Sequence, residues 1–156
     1  MEKAYTLDTL PDTLEIVHLH LPDLLELPFS QSYVAAGFPS PAEDYLEDKI
    51  NLEKLLIHNP TATFLVRVRG ESMRDARLHN DDIIVVDRSL KPGHGHIIIA
   101  VVDGEFTVKR LLHKGGKKYL QPANEQFPSM EITEAMDFRS WGVVVWSLHK
   151  VNSSHD

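Results

Sequence analysis

Gly70-Glu71-Ser72-Met73 places a lone hydroxyl just past the apolar run Phe64-Leu65-Val66, where a glycine breaks an extended segment. A serine held at such a strand end is a candidate oxygen nucleophile, provided that a base stands near enough to take its proton. Nine histidines are present, but none lies in a setting that marks it as that base. Lysine is the alternative, because serine–lysine pairs are a known variant of triad logic. The candidate is Lys109, in Thr107-Val108-Lys109-Arg110. A free lysine has a pKa of about 10.4 and needs a depression of about three units, roughly 4 kcal/mol, to be half neutral near pH 7.4. Burial in apolar surroundings supplies shifts of that size. Strand alternation puts Thr107 and Lys109 on one face and Val108 on the other. Taken alone, these residues leave the simpler reading open: a turn serine and a surface lysine, with Arg110 alongside marking an exposed strand end.

These side chains must be positioned by a β-rich body. From Thr61 onward, stretches 63–68, 82–86, 96–102, 105–112 and 118–120 are rich in β-branched residues. They are punctuated by Asn80-Asp81, Pro92-Gly93, Asp103-Gly104 and Gly115-Gly116, which read as turns. Asp103-Gly104 between Ala100-Val101-Val102 and Glu105-Phe106-Thr107-Val108 predicts a hairpin with a two-residue turn. Phe138 and residues 141–148 supply a last apolar strand, with a polar tail after it.

Before this body, residues 41–57 read as a helical region that Asn59-Pro60 stops. Residues 1–36 read as an irregular arm, because Pro11, Pro22 and Pro28 interrupt every helix. Within the arm Ile16-Val17-His18-Leu19-His20-Leu21 alternates as a strand does. Between arm and body, Pro39 and Pro41 bias the preceding residues to extended conformations. Val34-Ala35-Ala36-Gly37 is therefore an extended, small-residue segment followed by a turn.

Composition narrows the function classes. A chain of 156 residues with 42% hydrophobic residues can build one ordinary domain with an arm. No apolar stretch approaches the roughly 18 residues of a membrane helix, and the N-terminus lacks a signal-peptide pattern. The absence of cysteine removes disulfide and thiolate chemistry. A cytoplasmic protein is expected. The net charge of −7 is uneven: residues 1–36 carry Glu2, Asp8, Asp12, Glu15, Asp23 and Glu26 against Lys3 alone, a net of −5. Neither part has the clustered basic excess of an autonomous nucleic-acid binder, and 36 residues are too few for a helix-turn-helix domain. His94-Gly95-His96 could suggest a metal pair, but no further clustered ligands accompany it, and a solvated turn is the better reading. No metal or other cofactor is expected. Met73 reads as packing near the site, and Trp141 and Trp146 as core or interface residues.

Gly70-Glu71-Ser72-Met73 and Thr107-Val108-Lys109-Arg110, with Ser72 and Lys109 separated by 37 positions, resemble the self-cleaving LexA-type family of serine–lysine peptidases, family S24. Further stretches are similar to its smaller branch, the UmuD proteins of SOS mutagenesis. They include Gly37-Phe38-Pro39-Ser40-Pro41-Ala42, Asp82-Ile83-Ile84-Val85-Val86-Asp87, residues 100–109 and Trp141-Gly142-Val143-Val144, so the resemblance runs from about Tyr33 to about Lys150. His96 departs from it, standing where relatives have an acid after the glycine, and the arm is longer than that branch's.

The resemblance implies a compact, mostly β peptidase domain of twisted antiparallel sheets, residues 37–156, with an extended, cleavable acidic arm, residues 1–36, and one short helix. It implies Ser72 as nucleophile, Lys109 as general base, backbone N–H groups of Glu71 and Ser72 as an oxyanion hole, and cleavage between Ala36 and Gly37. Two small residues in an extended segment suit a narrow site. Thirty-five residues of tether, at roughly 3.3 Å each, do not limit their reach to Ser72, and tethering gives a sluggish nucleophile a high effective concentration.

The expected partners are a RecA filament on single-stranded DNA, a second copy in a homodimer, and a Y-family lesion-bypass polymerase, with no sequence-specific DNA contact. Loss of the arm is expected to expose a surface that it covers. The rival readings are a LexA- or phage-repressor-type regulator, a signal peptidase, which would need a membrane anchor, and a β-rich interaction module in which Ser72 and Lys109 are inert.

Overall fold

The computed structural model describes residues 15–17, 25–30, 33–39 and 47–152; side-chain placement is not described for 15–17 and 47. The described residues fall into two compact units, one within Met1–Leu19 and Asn59–Asp156, the other within His20–His58. The start of the stretch read as helical, residues 41–46, lies outside the described residues, as do most of the arm and the last four residues.

The larger unit is built on an eight-stranded antiparallel sheet. Its strands are β1 (Glu15–Val17), β4 (Thr63–Arg67), β5 (Ile83–Asp87), β6 (Ile97–Val102), β7 (Glu105–Lys114), β8 (Lys117–Gln121), β9 (Met130–Ile132) and β10 (Phe138–Leu148), in spatial order β1-β4-β5-β10-β6-β7-β8-β9. The mostly β expectation holds. The strands form where β-branched residues recur: Ile84-Val85-Val86 in β5 and Ile98-Ile99 in β6 are fully buried, as expected for central strands. The predicted hairpin between β6 and β7 turns at Asp103 and Gly104, whose φ values of 51° and 84° suit a mirror-image two-residue turn. Gly115 and Gly116 close the β7–β8 hairpin in the same way.

The strand-like alternation of the arm is realised in part. Glu15, Ile16 and Val17 pair with Arg67, Val66 and Leu65 of β4, and the remainder of that stretch lies outside the described residues. The last strand, β10, lies between β5 and β6, and its register shifts on both ladders, between Ser140 and Gly142 against β6 and between Val144 and Trp146 against β5. Each shift admits an extra residue, as at a β-bulge.

Two apolar clusters hold this sheet. Val66, Val68, Met73, Leu78, Ile84, Val86, Ile99 and Val108 form one, and Ile98, Ala100, Leu111, Leu120 and Val143 the other. Met73 belongs to the first and is 2% exposed, the packing role expected of it. Trp141 packs on that cluster between Phe64 and Phe106, with ring centroids 5.3 and 6.1 Å away, and the Arg88 guanidinium lies 4.6 Å over its ring. Trp146 is 42% exposed.

The smaller unit corrects the helical reading of residues 41–57. Its described part is a two-stranded sheet, β2 (Glu26–Ser30) with β3 (Glu47–Asn51), followed by the short helix α1 (Leu52–Leu56). Glu26 pairs with Asn51 and Leu27 with Ile50, so a partner from the arm draws residues 47–51 into a strand. The helix begins only where Asn51 can cap it, its side chain accepting the Lys54 N–H at 2.8 Å. Residues 33–35 carry no regular structure and Ala36, Gly37 and Phe38 form a bend. Tyr33, Val34 and Phe38 are almost wholly exposed.

Candidate active site

Ser72 stands in the irregular segment between β4 and β5. Gly70 reaches a φ of 94°, a left-handed conformation that costs glycine little. The chain then turns at Glu71, where the Arg74 N–H donates to the Glu71 carbonyl at 3.2 Å, and a single 3₁₀ turn follows at Arg74–Ala76. Buried Met73 anchors this loop to the core from below, leaving the neighbouring hydroxyl at the surface of the sheet.

Lys109 comes from β7, in register with Ile98 of β6. Its Nζ lies 2.9 Å from Ser72 Oγ, 2.8 Å from Thr107 Oγ1 and 3.0 Å from the Val108 carbonyl. An ammonium would donate to all three oxygens. The neutral amine donates to Thr107 and Val108 and turns its lone pair to the Ser72 hydroxyl. Thr107, two residues away on the same strand face, thereby fixes the direction of that lone pair. Burial pulls the Lys109 pKa below the usual lysine value by penalising the charged form. The structure thus brings Ser72 and Lys109 to hydrogen-bonding distance, although Arg110 follows in sequence.

Two loops brace the serine. Ala123 donates its N–H to the Ser72 carbonyl at 2.8 Å and accepts the Asp75 N–H at 2.8 Å. Asn124, 5% exposed, donates from Nδ2 to the Glu71 carbonyl at 2.9 Å. On the other side Asn80 Oδ1 accepts the Gly70 N–H at 2.8 Å, and the Asn80 N–H donates to Glu71 Oε1 at 3.3 Å. These bonds hold the backbone of residues 70–75 through its carbonyls and through Gly70. Among the described residues, no hydrogen bond occupies the N–H groups of Glu71 and Ser72. Asn124 and Ala123 lie in a loop without hydrophobic periodicity, and only their contacts, with the burial of Asn124, mark them. For Asn124→Ala we expect a loss of about 1–3 kcal/mol of stability, because the Asn124 bond to the Glu71 carbonyl and the one it accepts from the Gln126 N–H at 3.0 Å are both removed. Any Ser72-dependent activity should fall about tenfold as the loop loosens. Thermal melts and the rate of any Ser72-dependent cleavage check the two effects separately.

A groove of about 180 Å³ lies beside the serine, lined by Val68, Arg69, Gly70, Ser72, Met73, Phe106, Thr107 and Val108. Ala36 and Gly37 belong to the other compact unit. His94 and His96 do not converge on a common site: His94 Nδ1 accepts the His113 N–H at 2.9 Å and His96 Nδ1 the Gly93 N–H at 3.1 Å. No helix among the described residues is long and apolar enough to cross a membrane.

Comparison with known proteins identifies relatives of the chain. A family described as Peptidase S24-like matches residues 28–145. Protein MucA of Salmonella typhimurium is 44% identical over 125 residues, covering 78% of this chain and 84% of that protein. Protein SamA of the same species is 46% identical over 119 residues, covering 76% and 82%. The LexA repressor of Shewanella piezotolerans is 35% identical over 99 residues, covering 64% of this chain and 48% of the repressor.

Proposed function

Since the chain belongs to the S24 peptidase family, in its UmuD-type branch, we propose that it is a self-cleaving accessory protein of SOS mutagenesis whose Ser72 and Lys109 cut the bond between Ala36 and Gly37. The observation that carries this reading is the 2.9 Å approach of Lys109 Nζ to Ser72 Oγ in a setting that favours a neutral amine. The identities favour the UmuD-type branch over a repressor, at 44% with MucA and 46% with SamA against 35% with LexA.

In this mechanism neutral Lys109 takes the proton of the Ser72 hydroxyl while Oγ attacks the Ala36 carbonyl carbon. The developing oxyanion accepts from the N–H groups of Glu71 and Ser72, which are free of other acceptors in the described structure. Collapse breaks the bond to Gly37, whose amine leaves with the proton held by Lys109. Water then hydrolyses the acyl-serine, with Lys109 again as base. The apolar groove beside Ser72 suits the small side chains around the cleaved bond, and the exposed segment of residues 33–39 leaves that bond accessible. Cutting divides the chain into an acidic arm of 36 residues and a body of 120, and removes −5 of the −7 charge. The body, as a cytoplasmic homodimer, then joins a Y-family polymerase. RecA filaments on single-stranded DNA stimulate the reaction by favouring the docked conformation of the cleavage segment.

Incubation of the purified protein with RecA filaments on single-stranded DNA tests this directly. Intact-mass analysis is expected to show two fragments, the larger beginning at Gly37. A different junction, or an uncut chain both with filaments and near pH 10, would overturn the reading.

A further inference from the structure

Away from Ser72, one set of metal-ligating side chains converges among the described residues. His79, Asp82 and His149 each offer a donor atom, and the three atoms lie within 4.8 Å of one another. Asp82 sits at the entrance to β5 and His149 just beyond β10, 67 residues later in the chain. The pairing is therefore made by the fold and not by a local turn.

Asp82 is only 3% exposed, and a buried carboxylate needs compensation. Its Oδ2 accepts the His79 backbone N–H at 2.8 Å, and its Oδ1 lies 2.6 Å from His149 Nδ1. His79 is left over. Its Nδ1 is buried without a hydrogen-bond partner and stands 3.6 Å from Asp82 Oδ2, beyond hydrogen-bonding reach. The two imidazole rings flank the carboxylate with centroids 5.1 Å apart. A proton shared between His149 and Asp82 completes only half of this arrangement, whereas a cation completes all of it.

We propose that His79, Asp82 and His149 bind a divalent transition-metal ion of the zinc type. Two imidazoles and one carboxylate are a borderline donor set that suits zinc, with metal–ligand bonds of about 2.0–2.2 Å and a fourth position for water. Magnesium and calcium prefer all-oxygen shells and are disfavoured. Donors around a tetrahedral zinc stand about 3.4 Å apart; His149 Nδ1 lies 2.6 Å from Asp82 Oδ1, His79 Nδ1 3.6 Å from Asp82 Oδ2, and the donor atoms all lie within 4.8 Å of one another, so side-chain movements of about 1 Å admit the ion. Both histidine side chains are partly exposed, at 41% and 52%, which leaves an entry path.

The site has a structural consequence for its surroundings. Its turn also carries Asn80, which holds Gly70 and Glu71, and the chain at Asp81 and Asp82 exchanges two backbone bonds of 2.8 Å with Val68. An ion there ties the end of β10 to the turn that steadies the Ser72 loop.

The test uses the full chain without an affinity tag. Titration with Zn²⁺ is expected to show one tight equivalent and to raise the melting temperature. Co²⁺ should give the visible absorption of a four-coordinate site and lose it when Zn²⁺ is added. His79→Gln and His149→Gln should each weaken Zn²⁺ binding more than about 100-fold, with the far-ultraviolet circular dichroism of the metal-free proteins unchanged. His94→Gln, which alters the separate His94–His113 pair, should leave binding as it is. Absence of Zn²⁺ binding, binding that survives in His149→Gln, or an equal loss in His94→Gln overturns the proposal.

Discussion

A Ser72→Ala protein held near pH 10 for as long as the wild-type chain needs to cut itself is expected to stay intact, its rate lower by at least about 10³-fold, or about 4 kcal/mol of barrier. Lys109→Met should be equally inert, because its thioether cannot take the serine proton. Lys109→Arg should fail as well, since a guanidinium stays protonated throughout this range. The wild-type rate should climb with pH as the neutral fraction of Lys109 grows, and level off at a pKa below the usual lysine value. Activity surviving in either the serine or the lysine variant would sink the dyad.

The same lysine leaves a mark on stability, with a definite sign. A lysine whose folded pKa is lowered binds fewer protons in the folded than in the unfolded chain between its two pKa values. The cost of burying its charge is therefore fully present below the folded pKa and is relieved as pH rises toward 10.5, the unfolded value. Lys109→Met removes that cost. Its stability, measured by denaturant titration at a series of pH values, should lack this alkaline gain. A variant that is inactive yet folds at least as well as the wild type at neutral pH separates chemical loss from structural damage.

The second large effect falls on stability and comes from Gly142, in the middle of β10. A Cβ built there meets Val86 Cγ1 at 2.5 Å, Arg88 Cγ at 3.2 Å and the Asp87 carbonyl at 3.5 Å. The arginine stem can move aside, but Val86 is fully buried in the cluster that contains Met73, and β-branched side chains have little rotamer freedom. Gly142→Ala is expected to cost about 1–3 kcal/mol, seen as a lower urea midpoint with an unchanged slope. Gly142→Val should cost more. A Gly142→Ala protein as stable as the wild type would show that the sheet relaxes at this point.

The β body was legible because its strands are short β-branched runs set off by Asn-Asp, Asp-Gly and Gly-Gly turns, and those turns occur where the chain reverses. The β2–β3 sheet was not. Its ladder joins Glu26 to Asn51, and residues 47–51, Glu-Asp-Lys-Ile-Asn, carry one apolar side chain and none of the alternation that marks a strand. Only the partner strand decides between helix and strand, and that partner lies in the stretch read as an irregular arm. At the site, Ser72 and Lys109 were legible as residue types in their motifs, and Thr107 by its shared face with Lys109. What spacing could not convey was the distance between them, since two strands of different hairpins must first be brought to one surface. Asn124, Asn80 and the His79–Asp82–His149 cluster carry no periodic or spacing signal, and their roles arise only from contacts between distant segments.

The position of β10 has a consequence for how the site is held together. Ser72 follows β4, whose ladder runs through β5. Lys109 lies on β7, whose ladder runs through β6. In the strand ladder the link between these two halves is β10, which pairs with β5 on one side and β6 on the other. Along the chain both halves, each with one member of the pair, precede residues 138–148, which join them. Strand insertion at the centre of a sheet is a long-range closure. Within the sheet, the half that follows the nucleophile is thus tied to the strand that carries the base through β10, so the alignment of the pair depends on a segment remote in sequence from both.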